Sequence, residues 1–179
     1  NQRHPRYREV ETWFRAEQAC GLVKKTILAV SAGCAGINLG NLEDWDIFNL
    51  VPTIVGMVAS QGLIDRKGFK PGAPLALADR IPGEPRPAYY ALTLLADMLA
   101  GFREVRQLSV GQGVHAYNFN RRDGDVTVLW YNDGKRYLPG EVPPSRVVTL
   151  AVPQRPYRLL STPTTRNIPL PPAQKNHAS

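Results

Sequence analysis

The chain has 179 residues, enough for one domain or for one small domain and a piece of another. No stretch approaches the roughly 18 consecutive apolar residues of a membrane span, so no membrane partner is predicted. The formal charge of +7 raises a nucleic-acid reading, but Arg6, Lys24, Arg66, Arg86, Arg122 and Arg155 are scattered and no basic run of five occurs. Solvated surface charge is the better account, and no nucleic-acid partner is predicted.

The first residues, Asn1 to Arg6, are polar and lack the apolar core of a signal peptide; they read as a truncation point or a processed terminus. From Glu11 to Val30 the spacing predicts a helix. Ala16, Ala19, Cys20, Val23, Ile27 and Val30 recur on one side, with Glu11, Arg15, Gln18 and Lys25 on the other. Gly33 is placed to end it with a left-handed cap. Cys20 and Cys34 form neither a disulfide framework nor a CxxC site, and read as small buried hydrophobes.

Ala35 to Asn41, built around Ile37, Asn38 and Leu39, predicts a short buried strand. A loop with Glu43, Asp44, Trp45 and Asp46 follows, then a short helix over 48–59. Gly62 to Phe69 suggests a turn beginning in a strand-like stretch, and the Pro- and Gly-rich span 70–87 an irregular segment. A second helix is predicted over Pro87 to Phe102. Pro87 suits its first turn, Ala91, Leu94, Leu95, Met98, Leu99 and Phe102 form its apolar stripe, and Gly101 is its stop.

Beyond that point the period changes to two. Arg103 to Val110 reads as a strand opening a β-region, and Val114 to Asn120 and Val126 to Tyr131 as a hairpin about Asp123-Gly124. A two-residue turn there sets Phe119 opposite Val128 and Tyr117 opposite Trp130, and these share a face with Val126. That shared face makes Tyr117 and Trp130 interior residues rather than a sugar-binding stripe. Arg146 to Val152 and Tyr157 to Ser161 are further predicted strands. The span 163–179, rich in Pro, Thr, Asn and Gln, is predicted to be a disordered tail.

In serial order, three pieces carry a resemblance. EQACGLVKKTILAVSAGCAGINLGN (Glu17 to Asn41) resembles the seventh helix and eighth strand of clan A glycoside hydrolases. QGLIDRKGF (Gln61 to Phe69) with RPAYYALTLLADMLAGF (Arg86 to Phe102) is similar to their approach to the eighth helix. HAYNFNRRDGDVTVLWYND (His115 to Asp133) resembles the hairpin of their appended β-domain. The resemblance implies an α/β chain: 1–102 as the end of a (β/α)8 barrel, 103–162 as a small antiparallel β-sandwich-like domain, and 163–179 as the tail. A complete barrel takes about 250 residues, so the N-terminal barrel segment is the implied missing partner.

The implied parent is a retaining enzyme acting on O-glycosidic bonds of a carbohydrate substrate, without cofactor or metal. Secretion or periplasmic residence follows from the resemblance alone. Its chemistry needs two carboxyl groups about 5 Å apart. The resemblance puts both before Asn1, so this chain is assigned no catalytic residue and is expected to be inactive alone. Glu9 and Glu11 begin a helix with no apolar strand before them, and the helix dipole accounts for acids there.

The candidate substrate-binding residues are Asn38, Asn41, Glu43, Asp44 and Trp45, on the loop after the predicted strand. An indole beside carboxylates suits a pyranose, whose C–H face packs on the ring while its hydroxyls donate to oxygen acceptors. The bland reading of the same loop, the favoured one, is a solvated segment with Asp44 or Asp46 capping the next helix; Asn38 and Asn41 could equally satisfy turn backbone. Asn38, Leu39, Gly40 and Asn41 stand where many clan members carry a sugar-stacking aromatic, so a platform is absent or comes from Trp45. His4, His115 and His177 have no metal-site spacing. The alternative is a non-catalytic carbohydrate-binding or interaction module formed by the β-region.

Overall fold

The computed structural model describes residues 4–40, 42, 62–67, 81–151, 159–161 and 166–168. They form helices and antiparallel sheets, and neither a closed barrel nor a two-sheet sandwich is formed among them.

Helix α1 spans Tyr7–Ser31 and begins ahead of the predicted Glu11. Its start is tied by a turn, with the Tyr7 N–H donating to the His4 carbonyl at 2.9 Å. The Arg6 guanidinium grips the Glu9 carboxylate at 2.8 and 3.0 Å, placing an acid in the first turn where the helix dipole favours it. Ala19, Val23 and Ile27 form the buried line, one turn apart. Arg15 lies on this same line and is buried, contrary to its predicted solvent side. Its stem is aliphatic and its charge is satisfied: Glu11 accepts at 2.7 Å and Gln18 at 3.2 Å, so burial leaves no lone cation. At the other end Gly33 takes φ 83°. The Cys34 N–H reaches the Ala29 carbonyl and the Gly33 N–H the Val30 carbonyl, both at 3.0 Å. This is the Schellman arrangement, which needs the left-handed residue that only glycine adopts freely.

The predicted strand at Ala35 to Asn41 is not formed. Residues 35–40 carry no strand pairing and are mostly exposed, and Asn41 lies outside the described residues. A strand interior must pair its N–H and C=O groups with a neighbour, and the described residues supply none beside this segment. Cys34 is exposed for the same reason, which corrects its predicted burial, whereas Cys20 on α1 is half-buried. The predicted helix over 48–59 lies outside the described residues.

Strands β1 (Ile64–Lys67) and β2 (Ile81–Pro85) pair antiparallel with a bulge between Ile64 and Arg66. They occupy the stretch where a strand-like beginning and an irregular segment are predicted. Helix α2 (Pro87–Leu99) follows directly, with Pro87 in its first turn. Ala88, Ala91, Leu95 and Leu99 are its buried face, while Thr93 and Asp97 are exposed as predicted. Gly101, at φ 68°, ends it, and Phe102 leaves the helix to meet Phe119 edge-on with ring centroids 5.3 Å apart.

The central sheet has three strands in the order β3 (Glu104–Gln107), β4 (Val114–Asn120), β5 (Val126–Tyr131), all antiparallel. Tyr117 and Phe119 meet α1 and α2 in one core, with Val105, Val126, Val128 and Trp130 packed around it. Tyr117 is thus buried and Trp130 half-buried against the core, on the face they are predicted to share. The hairpin register differs from the predicted one. Phe119 pairs with Val126, Tyr117 with Val128 and His115 with Trp130. The turn is longer than two residues because side chains close it: Asn120 Nδ2 donates to Asp125 at 3.1 Å and Arg121 to Asp123 at 2.6 Å. The shift is by two residues, an even number, so the same side chains keep the same face.

Residues 146–151, predicted to be a strand, carry no strand pairing. Strand β6 (Leu159–Ser161) lies within the predicted Tyr157–Ser161 strand and pairs with β7 (Arg166–Ile168). The latter falls in the stretch whose composition predicts disorder, and the rest of that stretch lies outside the described residues.

Candidate functional site

Of the five candidate residues, Asn38 alone is described; Asn41, Glu43, Asp44 and Trp45 lie outside the described residues. Asn38 sits on the exposed segment after the α1 cap. Its Oδ1 accepts the Gly40 N–H at 2.9 Å, and Gly40 takes φ 94°. Its carbonyl accepts Lys25 Nζ from α1 at 3.2 Å. One acceptor position of the exposed Asn38 side chain thus supports the turn backbone, as one of its two readings expects.

The far side of this segment is anchored too. The Ile64 N–H donates to the Leu42 carbonyl at 2.9 Å, joining the loop to the start of β1. There Arg86, just before α2, makes a clip that the sequence reading did not single out. Its guanidinium donates to the Gly62 carbonyl at 2.9 Å and to Asp65 at 3.1 Å, and its N–H donates to the Leu63 carbonyl at 2.9 Å. Gly-Leu-Ile-Asp and Arg-Pro-Ala-Tyr, two separate parts of one resemblance, are thus held together by one side chain. The signal available in the sequence was the Arg-Pro pair itself: Pro87 keeps Arg86 extended, which directs its backbone away from the helix.

The acids near the N-terminus have structural partners. Glu9 is held below the usual carboxylate range by its hydrogen bonds from Arg6. Glu11 pairs with Arg15. His4 Nδ1 accepts the Arg6 N–H at 3.2 Å, and His115 lies flat on Trp130, with centroids 5.0 Å apart and planes 6° apart. The Cys20 thiol is pushed up by burial, which makes it a poor nucleophile. No group of three or more His, Cys, Asp or Glu is placed to hold a metal ion among the described residues. No helix among them is long and apolar enough to cross a membrane.

A second polar constellation, also missed in the sequence, lies after β5. Asn132 and Asp133 accept the N–H groups of Gly134 and Lys135 at 2.9 and 3.0 Å, and the Tyr137 hydroxyl donates to the other Asp133 oxygen. That bond holds the Asp133 carboxyl low and pushes the Tyr137 phenol up to about 12. The loop then docks on α1, where Trp13 Nε1 donates to the Tyr137 carbonyl at 3.1 Å and Arg6 to the Pro139 carbonyl at 3.0 Å. The Asn-Asp-Gly run was the readable cue to a turn there; its docking partner was not readable.

Comparison with family models, with curated proteins and with solved structures finds no match to this chain.

Proposed function

We propose that this chain is the C-terminal part of a retaining glycoside hydrolase of the clan A type, supplying the last barrel elements and the appended β-domain. The observation that carries this reading is the Arg86 clip, because it joins residues 62–65 to the start of α2, two separate parts of one motif. The order of α1, the clipped approach, α2 and the hairpin sheet supports it further. Val10 and Leu28 on α1 are 42% and 43% exposed, which suits a helix flanked by additional elements in the parent. The lack of a strand at 35–40 weighs on the other side: in the proposed parent, that strand forms only when a neighbouring barrel strand pairs with it.

In this reading the described acids have structural roles, and both reacting carboxyl groups belong to the absent segment. The rim contribution rests with Asn38, Asn41, Glu43, Asp44 and Trp45. The alternative of a carbohydrate-binding module draws no support from the central sheet, since Tyr117 and Trp130 pack inward. The test is hydrolysis of aryl glycosides by the chain extended through the reading frame upstream of Asn1. Activity in the extended protein, and none in the 179 residues alone, supports the proposal. An upstream stop codon, or upstream sequence with no apolar strand ending in Glu, overturns it.

A further inference from the structure

Strand β5 is an edge of the central sheet. The Asn132 N–H donates to the Gly113 carbonyl at 2.8 Å, extending a ladder in which Val126, Val128 and Trp130 turn their backbone groups toward β4. Alternation then turns the backbone groups of Thr127, Leu129 and Tyr131 outward, where they have no backbone partner among the described residues. An open edge of this kind is a template for another strand.

A strand-forming segment lies close by. Residues 146–151, Arg-Val-Val-Thr-Leu-Ala, are rich in β-branched side chains and make no backbone hydrogen bond among the described residues. Val147 within it is 96% exposed. The segment is already moored to the edge at one point: the Arg146 guanidinium stands over the Tyr131 ring at 5.8 Å from its centroid.

We propose that residues 146–151 form a strap that closes antiparallel onto β5 as the fourth strand of the sheet, in the register that sets Arg146 opposite Tyr131. Val148 then faces Leu129 and Leu150 faces Thr127 on the outer side, each in a hydrogen-bonded pair. Val147 comes opposite Trp130 and Thr149 opposite Val128 on the inner side. Closure moves Val147 from water to the Trp130 indole at the margin of the core. It also satisfies the outward groups of β5 and shields them from other chains, so the open strap exposes a pairing edge and the closed one hides it. This inference is independent of the glycosidase reading.

Residue-resolved hydrogen exchange on the full chain tests it. The Thr127, Leu129, Tyr131, Val148 and Leu150 amides are expected to exchange more slowly than those of Val147 and Thr149, by on the order of tenfold, at every protein concentration. Val148→Pro removes a donor of the new ladder and abolishes this protection. Val147→Pro, whose lost N–H points away from β5, leaves it in place. The Tyr117 amide on β4 reports that the sheet remains folded in each variant. Fast exchange of Leu129 and Tyr131 in the unaltered chain overturns the proposal. So does protection that grows with concentration, the sign of a second copy on the edge, or protection that survives Val148→Pro in a folded sheet.

Discussion

Arg121, in the turn between β4 and β5, donates its guanidinium to the Met98 carbonyl in the last turn of α2. The same nitrogen lies 3.4 Å from the Asp97 carbonyl, and the other terminal nitrogen pairs with Asp123 at 2.6 Å. Helix α2 has no basic residue in its own last turn, so the sheet lends the charge that its carbonyl end attracts. One side chain therefore couples the hairpin turn to the helix.

Arg121→Ala is expected to cost about 1–3 kcal/mol, since it strips charged hydrogen bonds from helix-end carbonyls that are partly buried. Urea unfolding measures it. Arg121→Lys recovers only part of the loss, because an ammonium lacks the planar fork. A change below about 0.5 kcal/mol in the alanine variant would show that water replaces the guanidinium without loss.

Phe119 is fully buried where both helices meet β4 and where Phe102 approaches edge-on. Phe119→Ala should destabilise by about 3–5 kcal/mol through lost burial and the cavity left behind. Val10→Ala, on an exposed part of α1, should stay within about 0.5 kcal/mol. Chemical denaturation of the two variants side by side checks the contrast.

Gly113 and Gly33 both have positive φ, at 72° and 83°, but only Gly113 is also crowded. A Cβ there would stand 2.8 Å from the Asn132 carbonyl oxygen, a backbone atom that cannot swing aside, whereas the position at Gly33 is open. Gly33→Ala should cost about 1 kcal/mol from the backbone alone. Gly113→Ala should cost clearly more, seen as the larger drop in melting temperature.

The Tyr137–Asp133 bond gives a pH signature. The Tyr137 phenol is raised from its ordinary value of 10.0 to about 12, so its contribution is complete below about 10 and disappears as pH rises through about 12. Asp133 is lowered, so its contribution is complete above its unfolded value and fades as pH falls through the folded one. Ultraviolet titration of the native chain should show a late tyrosinate step that Tyr137→Phe removes. In Asp133→Asn that step should return toward ordinary phenol values.

Local pattern made several elements legible. The apolar stripes of α1 and α2, the Gly33 and Gly101 stops and Pro87 in the first turn of α2 all depend on residues within a few positions of one another. So does the inward face of Tyr117, Phe119 and Trp130, which survived a hairpin register shifted by two because alternation has that same period. The candidate site was less legible. Asn38 supports its own turn through Oδ1, and the acids and indole beyond it lie outside the described residues.

What the order of residues decided alone was therefore periodicity, caps and the side of each strand that faces the core, since these are set by short-range sterics and burial. Tertiary structure decided which groups meet across the chain: Arg86 with Asp65, Arg121 with Met98, Trp13 with Tyr137, and Arg15 buried rather than solvated. It also left 35–40 unpaired, although that segment reads as a strand. The reason is that hydrogen bonds and ion pairs between distant segments depend on where the backbone delivers a partner, and no local spacing encodes that delivery.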